Sequence, residues 1–277
     1  MKNIYITDLD HTFLRNDLSI SDYTQKIWNS YENEAILSVA TARTYKKTMQ
    51  FLDGFCINAP MILLDGALIA TQDKKIIDTK FISKEVCDTV IGIGAKQSIF
   101  PFVLSLEKEQ GLNELFLYDR VLNSYQKEVL TRYTSDDNLI ECKNIEAKEK
   151  NFKVVYMGEE MLLRELEKEL KNLFGDTLKY ILAPEAYVGC YFLTLLHKDA
   201  DKSHGIQTVS EYMDFDLKKL TVFGDNFNDV GMFALAGTSV AVANAQEGVK
   251  KMANIVLEEN NDEDGVAKYL QGLRDAK

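Results

Sequence analysis

An apolar run near the start of the chain, Ile4-Tyr5-Ile6-Thr7, stops abruptly at two carboxylates, Asp8 and Asp10. Short runs rich in β-branched and aromatic residues read as buried strands. Open α/β sheets bind their ligands in the crevice just beyond the carboxyl ends of such strands. Asp8 and Asp10 therefore fall where a ligand would sit. Two like charges crowded there are costly unless something positive holds them, and a divalent cation with oxygen ligands is the natural candidate. If the strand continues through Asp10, the two-residue spacing puts both side chains on one face.

The pattern of strand then helix repeats. Ser21 predicts an N-cap for a helix reaching about Tyr31, with Ile27 and Trp28 inward. Ala35 to Ala40 reads as a second buried strand, ending at Thr41-Ala42-Arg43, and a helix carrying Met49, Phe51 and Leu52 follows. Met61 to Leu64 is a third strand closed by the turn Asp65-Gly66, and Ile69 to Phe81 a hairpin around Asp73-Lys74-Lys75. The alternation resumes near Lys202 with a helix, then the strand Leu220 to Phe223, then Gly224-Asp225. This predicts an α/β fold with a Rossmann-like parallel-sheet core and right-handed crossovers.

The middle of the chain differs. Helices are expected at Glu85–Lys96 and Glu159–Phe174, where Leu162, Leu163, Leu166, Leu170 and Leu173 recur at helical spacing. Short strands are expected near Phe102–Leu106, Leu115–Tyr118, Phe152–Tyr156 and Leu178–Leu182. The charge-rich stretch Lys143–Lys153 reads as a solvated loop. The expectation is an α+β domain over 83–187 inserted into a core made of 1–82 and 188–277.

Composition excludes some partners. A net charge of -11, from 43 acidic and 32 basic residues, argues against sequence-independent binding to nucleic acid or anionic membranes. A small phosphorylated substrate stays open, because a local cation can reverse the field inside a cleft. Cys56, Cys87, Cys142 and Cys190 are scattered without CxxC spacing, so reduced, mostly buried thiols are expected rather than zinc ligands. The sequence contains no apolar span and no leader before the first strand, so a cytoplasmic protein is expected.

Four stretches each place a polar group where a strand or loop meets a helix: Asp8 and Asp10, Thr41, Lys202, and Gly224-Asp225-Asn226-Phe227-Asn228-Asp229. Taken singly, each has an ordinary explanation as a turn, a cap or a solvated lysine; His11 and His204 read as hydrogen-bonding bystanders, and Met232 and Phe233 as core. Together, at one edge of one parallel sheet, they converge. Three carboxylates can hold Mg²⁺, a hydroxyl and an ammonium can hold phosphoryl oxygens, and an ionised carboxylate beside them can attack phosphorus.

These motifs resemble the four motifs of the haloacid dehalogenase superfamily. Val242-Ala243-Asn244-Ala245 and Asp262-Glu263-Asp264-Gly265-Val266-Ala267 resemble the tail of its Cof-type sugar-phosphatase branch, and the long insert resembles that branch's cap, which selects the substrate. The resemblance implies a Mg²⁺-dependent phosphatase for small phosphorylated metabolites; a monomer or homodimer is expected. It implies that Asp8 is the nucleophile and Asp10 the acid and base. It also implies that Asp8, the backbone carbonyl of Asp10, and Asp225 hold the metal, with Asp229 orienting Lys202 or a metal-bound water. Thr41, Ala42, Arg43, Lys202 and Asn228 are the expected substrate-binding positions. A phosphotransferase or mutase, and a non-enzymatic phospho-receiver switch, are the alternatives. His11 and Ala42 depart from the pattern, since each stands where the family usually has glycine; both are expected to be tolerated. Phe102, Tyr118, Tyr187 and Tyr191 read as cap core.

Overall fold

A computed structural model describes residues 2–131, 138–185 and 188–276. The opening run forms β1 (Asn3–Thr7), buried from Ile4 onward. α1 (Asp22–Asn29) starts where expected: Ser21 Oγ accepts from the Thr24 amide at 3.0 Å, and Ile27 and Trp28 are buried. β2 (Ala35–Val39) follows, then α2 (Tyr45–Phe51), capped by Thr44. Of the apolar residues named for this helix, Leu52 is buried just past its end and Met49 and Phe51 are half-buried, while Tyr45 and Thr48 take the inner face.

β3 (Met61–Leu63) is not a full member of the parallel sheet. It touches β2's extension through one parallel bridge, Ala40 to Ile62, and then begins an antiparallel sheet with β4 (Leu68–Ala70) and β5 (Ile76–Thr79). The turn between β3 and β4 is tight: Leu64 and Asp65 both adopt positive φ, and Gly66 packs on the Asp201 backbone, where a Cβ would meet the carbonyl oxygen at 2.0 Å.

The chain divides into two compact units, Met1–Thr79 with Asp201–Lys277, and Lys80–Ala200. The second unit contains α3 (Lys84–Lys96), β6 (Phe102–Lys108), β7 (Asn113–Asp119), α4 (Ser124–Thr131), β8 (Leu139–Cys142), β9 (Asn151–Gly158), α5 (Glu160–Phe174), β10 (Leu178–Glu185) and β11 (Cys190–His197). Its six strands run in the order β10-β11-β9-β6-β7-β8. It is wider than the 83–187 insert because β11 pairs along its length with β10 and β9 and so belongs to this sheet.

Alternation along the strands gives the sheet two apolar faces. Val103, Val154, Tyr156, Leu193 and Leu195 pack with α3 and α5, and Phe102, Val155 and Met157 pack with Tyr125 and Val129 of α4. On α5, Leu163, Leu166 and Leu170 are buried, while Leu162 and Leu173 are exposed and lie off the packed stripe. Lys143–Lys153 is not simply a solvated loop: Ile145 and Ala147 are buried, and Asn151 to Lys153 open β9. Phe102 is buried and Tyr118 and Tyr191 partly buried in this unit's core, as read; Tyr187 lies outside the described residues.

The first unit resumes with α6 (Lys202–Met213), β12 (Leu220–Gly224), α7 (Val230–Leu235), β13 (Thr238–Ala241), α8 (Glu247–Lys250), β14 (Ile255–Val256) and α9 (Gly265–Asp275). Met232 and Phe233 are core. Its main sheet is wholly parallel, in the order β14-β13-β12-β1-β2. Thr7 is level with Val39 on one side and Phe223 on the other. Asp8, Ala40-Thr41 and Gly224-Asp225 therefore leave the sheet together at one carboxyl edge. No helix among the described residues is long and apolar enough to cross a membrane.

Candidate active site

β1 ends at Thr7, and the Asp8 amide donates to the Phe223 carbonyl at 2.9 Å. The backbone then turns. Amides of Thr12, Phe13 and Leu14 all donate to the Leu9 carbonyl, at 3.3, 2.9 and 2.8 Å. The strand thus stops short of Asp10, and the expected shared face for Asp8 and Asp10 does not form. The Asp10 carboxylate instead pairs with both edges of the Arg43 guanidinium, Nε to Oδ2 at 2.8 Å and Nη2 to Oδ1 at 2.5 Å. The Arg43 guanidinium also lies 4.5 Å from the centre of the Phe51 ring. A planar fork held by two parallel bonds and a ring face is a fixed orientation, not a solvated charge.

Lys202 is the first residue of α6, whose N-cap Asp201 accepts from the His204 amide at 2.7 Å. Its side chain is fully buried, and its Nζ donates to Asp8 Oδ1 at 2.6 Å and to Asp229 Oδ1 at 2.7 Å. A buried ammonium is tolerated only when paired in this way. Asp229 is itself aimed from behind. Its Oδ2 accepts from the amides of Asp225 and Asn226 at 2.9 and 3.1 Å. That fold-back requires glycine at 224, where a Cβ would lie 2.4 Å from Asp229 Oδ2. Thr12 Oγ1 donates to Asp225 Oδ1 at 3.2 Å.

Ligand oxygens of Asp8, Asp225 and Asp229 lie within 4.8 Å of one another. Burial pushes the Asp8 carboxyl well up, against the opposing pull of Lys202, and Asp229, Asp225 and Asp10 push it further. Burial, then Asp229, lifts Asp225 to about 6, against Lys202, His11 and the Thr12 hydrogen bond. Burial pulls the Lys202 ammonium down, but Asp229, Asp8 and Asp65 outweigh it and the net direction is up. Three buried oxygen-donor groups with one ammonium among them form an electron-rich pocket. Its donor set suits a hard divalent cation.

The remaining positions are less converged. Thr41 is fully buried just past β2; its amide donates to the Ile62 carbonyl at 2.8 Å and its hydroxyl accepts from the Arg43 amide at 3.2 Å. Ala42 is half-buried with ordinary backbone. Asn228 Nδ2 donates to Asp65 Oδ1 at 2.9 Å. Asp65 and Thr12 were not singled out from the sequence. Asp65 follows a buried strand in an Asp-Gly step, the same kind of boundary that flagged Asp225, so a signal was present. His204 Nε2 lies 2.7 Å from Asp78 Oδ2, a structural pair within the first unit. His11 adopts φ 56°, the left-handed region that glycine occupies freely.

The chain matches the haloacid dehalogenase-like hydrolase family over residues 5–270. It is similar to the 5-amino-6-(5-phospho-D-ribitylamino)uracil phosphatase of Bacillus subtilis, with 23% identity across 95% of this chain and 94% of that protein. A Haemophilus influenzae relative is 39% identical, but over 80 residues that make up 29% of this chain and 30% of that one. The fold resembles a solved haloacid dehalogenase-like hydrolase from Bacteroides thetaiotaomicron, with a TM-score of 0.82 and 21% identity over 99% of this chain and 100% of the other.

Proposed function

The chain belongs to the haloacid dehalogenase-like hydrolase family, and on that premise we propose that it is a Mg²⁺-dependent phosphatase of small phosphorylated metabolites, sugar phosphates or similar monoesters, acting in the cytoplasm as a monomer or homodimer. The observation that carries this reading is the buried Asp8–Lys202–Asp229 ion cluster beside Asp225 at the carboxyl edge of the sheet. The B. subtilis relative named for a phosphorylated ribityl compound supports a small monoester. Four free cysteines suit a reducing compartment.

In this reading Lys202 holds Asp8 Oδ1, so Oδ2 is the oxygen offered to phosphorus. Oδ2 forms a bond to phosphorus as the bond to the ester oxygen breaks, giving an aspartyl-phosphate. Asp10, with one oxygen kept on Arg43 and the other protonated, gives that proton to the departing oxygen, then takes one from water, whose oxygen attacks the same phosphorus. The bond to Asp8 breaks, inorganic phosphate leaves and the Asp8 carboxylate is restored. Thr41 and Lys202 hold the phosphoryl oxygens, with Ala42, Arg43 and Asn228 lining the approach. Asp8, Asp225 and the Asp10 carbonyl would hold Mg²⁺, backed by Asp229, and when bound it would offset the charge gathering on those oxygens. The second unit serves as the cap that selects the substrate.

The test is phosphate release from a panel of phosphorylated metabolites, with and without Mg²⁺, by wild type and Asp8→Asn. Mg²⁺-dependent turnover is expected from wild type alone. Turnover retained in Asp8→Asn would remove Asp8 as nucleophile. Phosphorus NMR of the products separates hydrolysis from transfer to a second hydroxyl, and a phosphoprotein that persists without product release would favour the receiver switch.

A further inference from the structure

The turn that carries Asp10 is held from far along the chain. His11, at φ 56°, is a non-glycine residue in a conformation that side chains disfavour. Its carbonyl accepts from Asn244 Nδ2 at 2.7 Å, and its Nδ1 lies 3.2 Å from Asn16 Oδ1. Asn244 is in turn held through its Oδ1, which accepts from the Asn261 amide at 3.0 Å. Asn261 is buried, and its Nδ2 donates to the Leu14 carbonyl at 2.9 Å and to Asn16 Oδ1 at 3.1 Å. Asn16 closes the ring by donating from its amide and Nδ2 to Asp262, at 2.8 and 2.6 Å. The 260–263 segment is itself fixed, because the side chains of Asn260 and Glu263 each accept from the other's amide. The His11 and Leu14 carbonyls and the Asn16 amide are each answered by the loops at 244 and 260–263.

We infer that Asn244 and Asn261 are positioning residues for the reaction: they pin the left-handed His11 turn and thereby fix where the backbone delivers Asp10. This rests on the reading of Asp10 as acid and base. Neither asparagine touches Asp8, Lys202 or Asp225 in any contact described above. Their effect passes through the backbone of residues 11–14. A glycine at position 11 would adopt the same turn with less need of the clamp. The two asparagines and His11 are therefore coupled.

The experiment uses full-length N244A, H11G and the double variant, with glycerol 2-phosphate and p-nitrophenyl phosphate as substrates. The alkyl ester needs its leaving oxygen protonated, whereas p-nitrophenolate departs without help, so a displaced acid harms the first and spares the second. N244A is expected to lower kcat on glycerol 2-phosphate about tenfold with KM within about twofold, short of the ~10²-fold ascribed to a 1 Å misplacement. Release of p-nitrophenol in the first turnover should change less than about twofold. H11G should behave like wild type, and adding H11G to N244A should restore kcat to within about twofold. Equal losses on both substrates, or an N244A loss unchanged by H11G, would overturn the inference. Asn244 is exposed, so N244A leaves the core intact; N261A, which removes a buried donor, serves as the second variant and should show the same substrate split. If wild type released phosphate from neither ester nor any member of the metabolite panel, the phosphatase reading itself would fall; if wild type turned over both esters and N244A matched it, only this inference would.

Discussion

Lys202 Nζ lies 2.6 Å from Asp8 Oδ1, and both side chains are buried. The ion pair joins the first strand to the first turn of a helix 194 positions away. Its energetic weight comes less from attraction than from what either charge would cost alone in a dry site.

Lys202→Met should therefore act on stability and activity together. Removing one partner of a buried pair leaves Asp8 and Asp229 facing each other, and the expected loss is about 3–5 kcal/mol. With the proposed phosphoryl clamp gone, kcat should fall about 10²–10³-fold. Urea unfolding and steady-state kinetics check the two effects, and a loss below about 1 kcal/mol would class the pair with exposed ones.

Gly224→Ala should disturb Asp229 without removing any charge. The added methyl would lie 2.4 Å from Asp229 Oδ2, so Asp229 must give up its bonds to the Asp225 and Asn226 amides. Expected are a loss of about 1–3 kcal/mol and a kcat that falls more than KM changes. Gly92→Ala, in α3 with nothing within 4 Å of the new methyl, is the contrast; it should stabilise by about 0.5–1 kcal/mol.

Asp225 gives the metal-free protein a pH signature. Burial first, then Asp229, raise its folded pKa from 3.8 to about 6, so the folded state holds a proton that the unfolded state has lost. That stability is present below about 3.8 and is lost as pH rises through about 6. In EDTA, Tm should fall between pH 4 and pH 7, and Asp225→Asn should flatten that fall by at most about 3 kcal/mol. Mg²⁺ should raise Tm more at pH 7 than at pH 5, because the ligands must be deprotonated to bind it. Parallel melts in which Asp225→Asn and wild type shift identically would clear Asp225 of the effect.

Arg43→Ala should release the Asp10 carboxylate from its two-bond hold. The expected loss in kcat is about tenfold on alkyl phosphates. Arg43→Lys should recover only part of it, since an ammonium cannot reproduce the fork. Full recovery by lysine would mean that charge, not geometry, matters there.

Much of this was legible in the sequence because strands that end in polar residues announce themselves. β1, β2 and β12 are short apolar runs, and the carboxylate, the hydroxyl and the Gly-Asp step sit at their ends. The start of α6 was readable near Lys202, where the strand–helix alternation resumes; its cap, Asp201, came only with the structure. What escaped depended on tertiary pairing. β11 was read as no element and fell in the stretch given to the core; only its ladder with β9 and β10 assigns it to the second unit. α4 carries few apolar residues and buries only Gln126, so its pattern was too weak to read. The Asp10–Arg43 pair escaped because residue spacing assumes a continuing strand, whereas the Leu9 carbonyl gathers three amides and turns the chain.

Discontinuity of the first unit sets an order of events during synthesis. β1 and β2 leave the ribosome early, yet β1's second neighbour, β12, is complete only at Gly224. All of residues 80–200 must be made in between, and that unit has a sheet and core of its own. The nascent protein thus passes through a stage in which the inserted unit can be finished while a central strand of the other still shows an unpaired edge. Asp8 waits through that stage without Lys202 or Asp225, so the proposed catalytic centre is among the last parts of the protein to exist.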